Sequence, residues 1–382
     1  MKTKRMAAMF LAFGMAFSMV SCGSSGDTTT AAAGTTAAGT TAAATTAADG
    51  TTAAEGATTA AGSEAAGAGN VEITSTDKVT IIWSHNAPES SNGHQTALKF
   101  KELVEERSNG NITVEVHPNG ELGTVPENDQ ALRDGTIQMN SGTSGGLVDM
   151  SLSYFDAPNM VADEAAAMEL FGRGTEMRQE TEKRYEALGM KVLSFVPVGF
   201  RVTSSNKEIR SYDDLKGLKI RTLENPVPIA YWQAWGCSPT PIAFSELYIA
   251  LQQGLVEAEE NTYDTIVSSK LYEQQKYIVN TNHVVMWGGM YMNLDFWNSL
   301  PADYQALIED ICANEIDDYQ FNVAKEANEA AIQTMKDAGL EIIDLPEADL
   351  VKMREEAKPA YDMIRESVGD ELMDKLEAAL AK

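Results

Sequence analysis

SPTPIAFSELYIALQQGLVEAEENTYDTI, residues 238–266, holds a helix and a strand in direct succession. Ser245 can cap a helix running to Gln253, with Gly254 as its C-terminal stop. Leu247, Ala250 and Leu251 recur at helical spacing and supply the buried stripe. LVEAEEN, residues 255–261, then reads as a strand that ends on Asn261. Phe244 lies just before the cap, where its ring can join the core or stack on a ligand.

Working outward, the same alternation repeats. KVTIIWSH (78–85) is an apolar strand ending in polar residues, and a helix follows with Ala97, Phe100 and Val104 on one face and the stop SNG at 108–110. NITVEVHP (111–118) is a second strand, PENDQALRDG a short helix, and TIQMNSGTSGG a third strand running into a glycine-rich loop. MKVLSFVPVG (190–199) and LKIRTL (218–223) are further strands. Strands alternating with helices mean an α/β fold with a largely parallel sheet. Pro301 fits the first turn of a helix, and neither proline nor glycine follows before Gly339. Unbroken, that helix is on the order of 55 Å long, and one so long in a globular chain spans more than one lobe. A final helical run covers 346–381.

The chain has 382 residues, enough for two lobes with cores. It starts MKTKRMAAMFLAFGMAFSMVSCG, a basic head and a short apolar run that reads as an export signal over residues 1–22. MVSC resembles a bacterial lipobox, with Met19 where leucine is usual, so Cys22 is the expected lipid-modified first residue. Residues 23–72 are nearly all Thr, Ala and Gly and form a disordered tether. The expected location is extracytoplasmic, anchored to the outer face of the cytoplasmic membrane. Of the three cysteines, Cys237 and Cys312 are left as buried free thiols or a disulfide. Net charge is −27, and −30 once Lys2, Lys4 and Arg5 leave with the signal. A chain this acidic is unsuited to nucleic acid or anionic lipid.

Enzyme motifs are thin. HExxH, CxxC and the P-loop lysine motif do not occur, and His85, His94, His117 and His283 lack metal-ligand spacing. No cofactor and no metal is expected. GTSGG (142–146) fits the nucleophile-elbow pattern at Ser144, but two further glycines follow where a helix should begin. Anion chemistry is better represented. Arg201, in FRVTSSN, ends an apolar strand, and Arg221 shares a strand face with Lys219 opposite Leu218 and Ile220. Ligands of open α/β sheets bind beyond the carboxyl ends of strands. A guanidinium fork offers a carboxylate two parallel donors. On the residues alone, either arginine also fits a structural or solvated role.

The central segment closely resembles the substrate-binding proteins of TRAP transporters, the DctP-like family. KIRTLENP, PTPIAFSELYIALQQG and VEAEEN stand in the family's order and spacing, as do HPNGELG (117–123), GFRVTSSN (199–206) and TNH (281–283). The resemblance covers residues 76–380. It implies a two-lobed, periplasmic-binding-protein-like α/β fold with discontinuous lobes, hinge strands and a long helix spanning both. The expected division is 73–198 with 287–326 for the first lobe and 199–286 with 327–382 for the second. The resemblance also implies that Arg221 makes a bidentate salt bridge to a ligand carboxylate, that Arg201 assists, that Phe244 packs on the ligand and that Asn261 donates to the carboxylate. VEAEEN departs from the family's VDGQEN at Glu257, Ala258 and Glu259, and keeps the asparagine.

Specificity would fall to His85, Asn86, Thr143, Glu224 and Trp287, each of which also fits a solvated or packed role. Their polar groups suit a hydroxylated ligand, which needs both donors and acceptors. The leading expectation is a sugar acid such as a uronate or aldonate, with a C4-dicarboxylate or sialic acid as alternatives. The implied partners are the small and large TRAP membrane subunits, with the receptor itself a monomer. The rival reading is a secreted α/β hydrolase using Ser144 and His283.

Overall fold

The computed structural model describes residues 71–142 and 145–380. The export signal, Cys22, nearly all of the tether, Thr143 and Ser144 lie outside the described residues. Nine strands form one sheet: β1 (Val79–His85), β2 (Ile112–His117), β3 (Met139–Gly142), β4 (Met190–Ser205), β5 (Lys219–Thr222), β6 (Ser238–Pro241), β7 (Ala258–Asn261), β8 (Tyr277–Asn293) and β9 (Glu341–Asp344). Their order is β2-β1-β3-β8-β4-β7-β5-β6, with β9 beside β8.

The sheet is parallel at its ends and antiparallel in the middle. β1 pairs in parallel with β2 and β3, and β5 with β6 and β7. β4 and β8 run antiparallel to each other from Met190↔Asn293 to Ser205↔Tyr277, and β3 and β7 join them in antiparallel fashion. The expectation of a largely parallel sheet therefore holds within each end only. The long β4–β8 ribbon joins the ends, and its register shifts at Val192/Ser194, Pro197/Phe200 and Arg201/Thr203. Pro197 sits at such an irregularity, where its missing N–H costs little.

Helices α1 (Asn92–Arg107) and α2 (Val125–Arg133) follow β1 and β2, and α3 (Glu164–Phe171) and α4 (Glu176–Ala187) precede β4. α5 (Pro226–Ala234) links β5 to β6, while α6 (Leu247–Gln252) and α7 (Tyr263–Ser268) flank β7. After β8 come α8 (Leu294–Ser299), α9 (Ala302–Ile311) and α10 (Asp317–Asp337). A π turn at Cys312–Ile316 joins α9 to α10, so the chain is helical without interruption from Ala302 to Asp337, as the absence of Pro and Gly implies. Ser245 caps nothing. Phe244–Glu246 is a 3₁₀ turn, and the regular helix starts only at Leu247.

The expected final helix is three: α11 (Glu347–Glu356), α12 (Lys358–Val368) and α13 (Asp370–Leu380). Pro359 lacks the donor that would continue α11, and Gly369 turns the chain at φ 91°. One apolar core holds Trp83, Phe100 and Ile308 at the β1–β3 end, and another holds Val202, Leu251 and Met335 near β7. A larger one joins Tyr154, Tyr185, Trp232, Trp235 and the inner faces of α12 and α13, so the C-terminal helices brace both ends of the sheet. Cys237 and Cys312 are buried free thiols.

Candidate ligand-binding site

α10 crosses the β4–β8 ribbon where two glycines let it approach. Gly199 has φ 123°, and a Cβ there would lie 2.7 Å from Asn328 Nδ2. A Cβ on Gly288 would lie 2.7 Å from Val198 Cγ1 and would overlap Gln320. Asn328 exploits the closeness, donating to Val198 O at 2.9 Å and accepting from Asp264 N at 2.9 Å. Above this crossing lies a cavity walled by Trp83, His85 and Asn86 from the β1 end, Phe244, Asn261 and Asp264 from the β7 end, and Arg201 and Trp287 from the ribbon.

The charged side of the cavity is a buried cluster. Arg201 Nη2 donates to Glu260 Oε1 at 2.9 Å and to Asn261 Oδ1 at 3.0 Å, and Nε donates to Glu260 Oε2. His283 Nε2 stands 3.2 Å from the same Glu260 oxygen. Burial opposes the Glu260 charge, yet Arg201 and the His283 hydrogen bond outweigh it and hold the carboxyl at about 2. Glu260 therefore neutralises Arg201.

Arg221 has no such partner. It is 1% exposed, its Nε donates to Ile242 O at 2.9 Å, and its Nη1 has no hydrogen-bond partner among the described residues. Burial pulls it down to about 10, against the attraction of Glu260. Its side chain is not one of those lining the cavity, whereas Leu223, two residues on and on the same side of the strand by alternation, is. The structure thus puts Arg201 at the cavity wall, and the unpaired Nη1 on Arg221, which lies behind the lining within reach of the charges of Arg201 and Glu260.

Two further carboxyls adjoin this cluster. Glu259, fully buried, accepts from Ser204 Oγ and from Asn261 Nδ2 at 2.6 Å, and burial pushes it up to about 7. Asp156 accepts from Gly146 N at 2.6 Å and is likewise pushed up to about 7 by burial. With Glu259 and Asp156 protonated, two guanidiniums face one firm carboxylate and the buried cluster carries a surplus positive charge; their ionisation removes it.

The opposite wall is polar but uncharged. His85 Nε2 lies 3.1 Å from His94 Nδ1, and burial together with His94 lowers it to about 4 against a backbone hydrogen bond at Ala87. Asn86 is held by Gly123 O at 2.9 Å and Asn128 at 3.1 Å. Across the mouth, Asn92 Nδ2 donates to Asp264 Oδ2 at 2.7 Å, tying the start of α1 to α7.

Of the residues singled out in the sequence, Arg201, Asn261, Phe244, His85, Asn86 and Trp287 line the cavity together. Trp287 is also packed face to face on Phe195, with ring centroids 4.9 Å apart. Glu224 is exposed and lines nothing, though its charge reaches Arg221. Thr143 lies outside the described residues. Asn92, Asp264 and Gln320 were not anticipated. Ser91 ahead of Asn92 was a readable cap signal, but nothing marked the contact to Asp264, which comes from sequence 172 residues away. His283 has both ring nitrogens engaged, by Glu260 and by Thr281 Oγ1 at 2.9 Å, and has none to offer a serine. No group of three or more His, Cys, Asp or Glu side chains among the described residues could hold a metal.

A family model described as bacterial extracellular solute-binding protein, family 7 (DctP), matches residues 83–367. The C4-dicarboxylate-binding periplasmic protein DctP of Rhodobacter capsulatus is 35% identical over 312 residues, 80% of this chain and 92% of that one. A TRAP periplasmic solute-binding protein from Desulfovibrio salexigens, solved with orotic acid, superposes with TM-score 0.75 at 30% identity over 79% of this chain and 98% of its own. Another from Haemophilus influenzae, solved with L-gulonate, gives TM-score 0.73 at 27% identity over 80% and 98%.

Proposed function

This chain belongs to bacterial extracellular solute-binding protein family 7, and on that footing we propose that it holds a small organic monocarboxylate at the Arg201–Arg221 cluster and hands it to a TRAP permease. It is an extracytoplasmic receptor and not an enzyme; the ligand leaves as it came. The observation that carries the proposal is the Arg221 guanidinium, buried, beside the cavity, with Nη1 unsatisfied while Arg201 is already neutralised by Glu260. A ligand carboxylate that reaches Arg221 supplies both the missing acceptor and the missing charge. Asn261 and Phe244 would orient it, and His85 and Asn86 would read its far end.

A sugar acid remains the leading ligand. Arg201, the one Lys or Arg lining the cavity among the described residues, is already neutralised by Glu260, which leaves Arg221 alone to take a carboxylate and no cation for a second. A flat aromatic carboxylate is the second reading, favoured by Trp83, Phe244 and Trp287 in the wall and by orotic acid in the Desulfovibrio relative. Two lobes with the boundaries given above, hinged on β4 and β8, would close over the ligand. No helix among the described residues is long and apolar enough to cross a membrane. The Cys22 lipid and the tether would therefore keep the receptor near the small and large permease subunits.

A thermal-shift screen against uronates, aldonates, C4-dicarboxylates, 2-keto acids, orotate and sialic acid tests this. An acid at a thousand times its Kd stabilises by about 4 kcal/mol, worth several degrees at roughly 2–4 °C per kcal/mol. A shift with monocarboxylates is expected; a shift confined to C4-dicarboxylates contradicts the ligand class.

A further inference from the structure

Glu259 is the one member of the buried cluster that the binding scheme leaves without a task. It stands where the resembling motif VDGQEN carries glutamine. It is 0% exposed, and its hydrogen bonds come only from neutral groups, the Ser204 hydroxyl and the Asn261 amide. The charged or titratable groups around it are Arg201 on β4, Arg221 on β5, its neighbour Glu260 on β7 and, through Glu260, His283 on β8. Arg201 and Glu260 cancel, so the charge left for an arriving anion depends on Arg221, Glu259 and Asp156.

We propose that Glu259 is a positioning residue whose protonation sets the charge of the anion site. Protonated, it mimics glutamine. The proton sits on Oε1, the Ser204 hydroxyl turns to accept it, and Oε2 still receives the Asn261 amide. The arginine pair then keeps one positive charge in excess. Ionised, Glu259 cancels that charge and holds the Asn261 donor more firmly, away from a ligand. Binding of a carboxylate therefore takes up one proton from solvent wherever Glu259 is ionised beforehand.

The inference rests on reading the cluster as a carboxylate site, and two experiments separate the two. The first is infrared spectroscopy of the ligand-free protein between pH 5.5 and 8.5. Protonated-carboxyl C=O absorption is expected to disappear on going up in pH, and Glu259→Gln should lack one component of it while those of Asp129 and Asp156 remain. The second is calorimetry with L-gulonate. The wild-type Kd is expected to rise roughly tenfold or more from pH 6 to 8.5, given a Glu259 carboxyl that titrates at about 7. Glu259→Gln should show a markedly smaller rise, with what remains due to Asp156, and should take up less of a proton on binding at pH 8 than wild type. Asp129→Asn, which removes a carboxyl held near 7 away from the Arg201–Arg221 pair, should keep the wild-type slope. The full wild-type slope persisting in Glu259→Gln, or vanishing in Asp129→Asn, overturns the proposal. If L-gulonate binds at neither pH, the sugar-acid reading fails, and the infrared result decides Glu259 alone: titrating absorption in Glu259→Gln that is undiminished from wild type overturns its role.

Discussion

Arg201 and Arg221 differ by what already touches them. Removing Arg201 strands Glu260, fully buried, without its counter-charge. Breaking a buried pair from one side costs about 3–5 kcal/mol, so Arg201→Met should lower urea-unfolding stability by that order. Arg221 has no ion-pair partner, and burial has already lowered it to about 10. Arg221→Met should therefore leave stability unchanged or raised while costing binding a hundredfold or more, on the same ~3–5 kcal/mol scale for the lost ligand pair. Equal destabilisation of both variants would count against this division. The sequence carried these two arginines and Asn261 through their places at strand ends, and Phe244 through its place just before a helix. It did not carry the Arg201–Glu260 pairing, because adjacent glutamates in EEN look alike until the strand decides which faces the guanidinium.

At the level of elements, the site depends on α10 lying close on the ribbon. Gly199→Ala would strain a backbone at φ 123° and push a methyl to 2.7 Å from Asn328 Nδ2. A loss of about 1–3 kcal/mol is expected in chemical denaturation, together with weaker ligand binding, since Asn328 also holds Asp264 N. An unchanged midpoint would mean the helix has room to withdraw. The uninterrupted helix was legible from missing Pro and Gly alone. β8 was not, although it is the longest strand at 17 residues. Its polar TNH and its Gly288–Gly289 pair break the alternation that marks a strand, and both serve the site: His283 reaches Glu260, and Gly288 admits Gln320.

For the whole molecule, buried acids set the response to pH. Asp129, Asp156 and Glu259 are all held at about 7, in each case chiefly by burial. Their folded values lie above the unfolded ones, so their contribution is full below about 4 and is lost as pH rises towards 7. Glu260 acts in reverse, contributing above its usual 4.5 and losing that as pH falls to about 2. Thermal stability should thus be greatest near pH 4 and fall by several degrees by pH 8, at roughly 2–4 °C per kcal/mol. Asp129→Asn combined with Asp156→Asn should flatten that fall; an undiminished slope would place its origin elsewhere. Alternating strands and helices were enough to read the α/β class, and the resemblance to DctP-like proteins implied the two-lobed architecture. The antiparallel middle of the sheet and the C-terminal bracing were hidden, because both arise between segments far apart in sequence.

The central claim is that Arg221 receives the ligand's carboxylate. It is met most directly by isothermal titration of wild type and Arg221→Met, side by side, with whichever acid gives the largest thermal shift. The account predicts measurable binding to wild type and none to a variant that melts at or above the wild-type temperature. Equal affinity in the two proteins would contradict it.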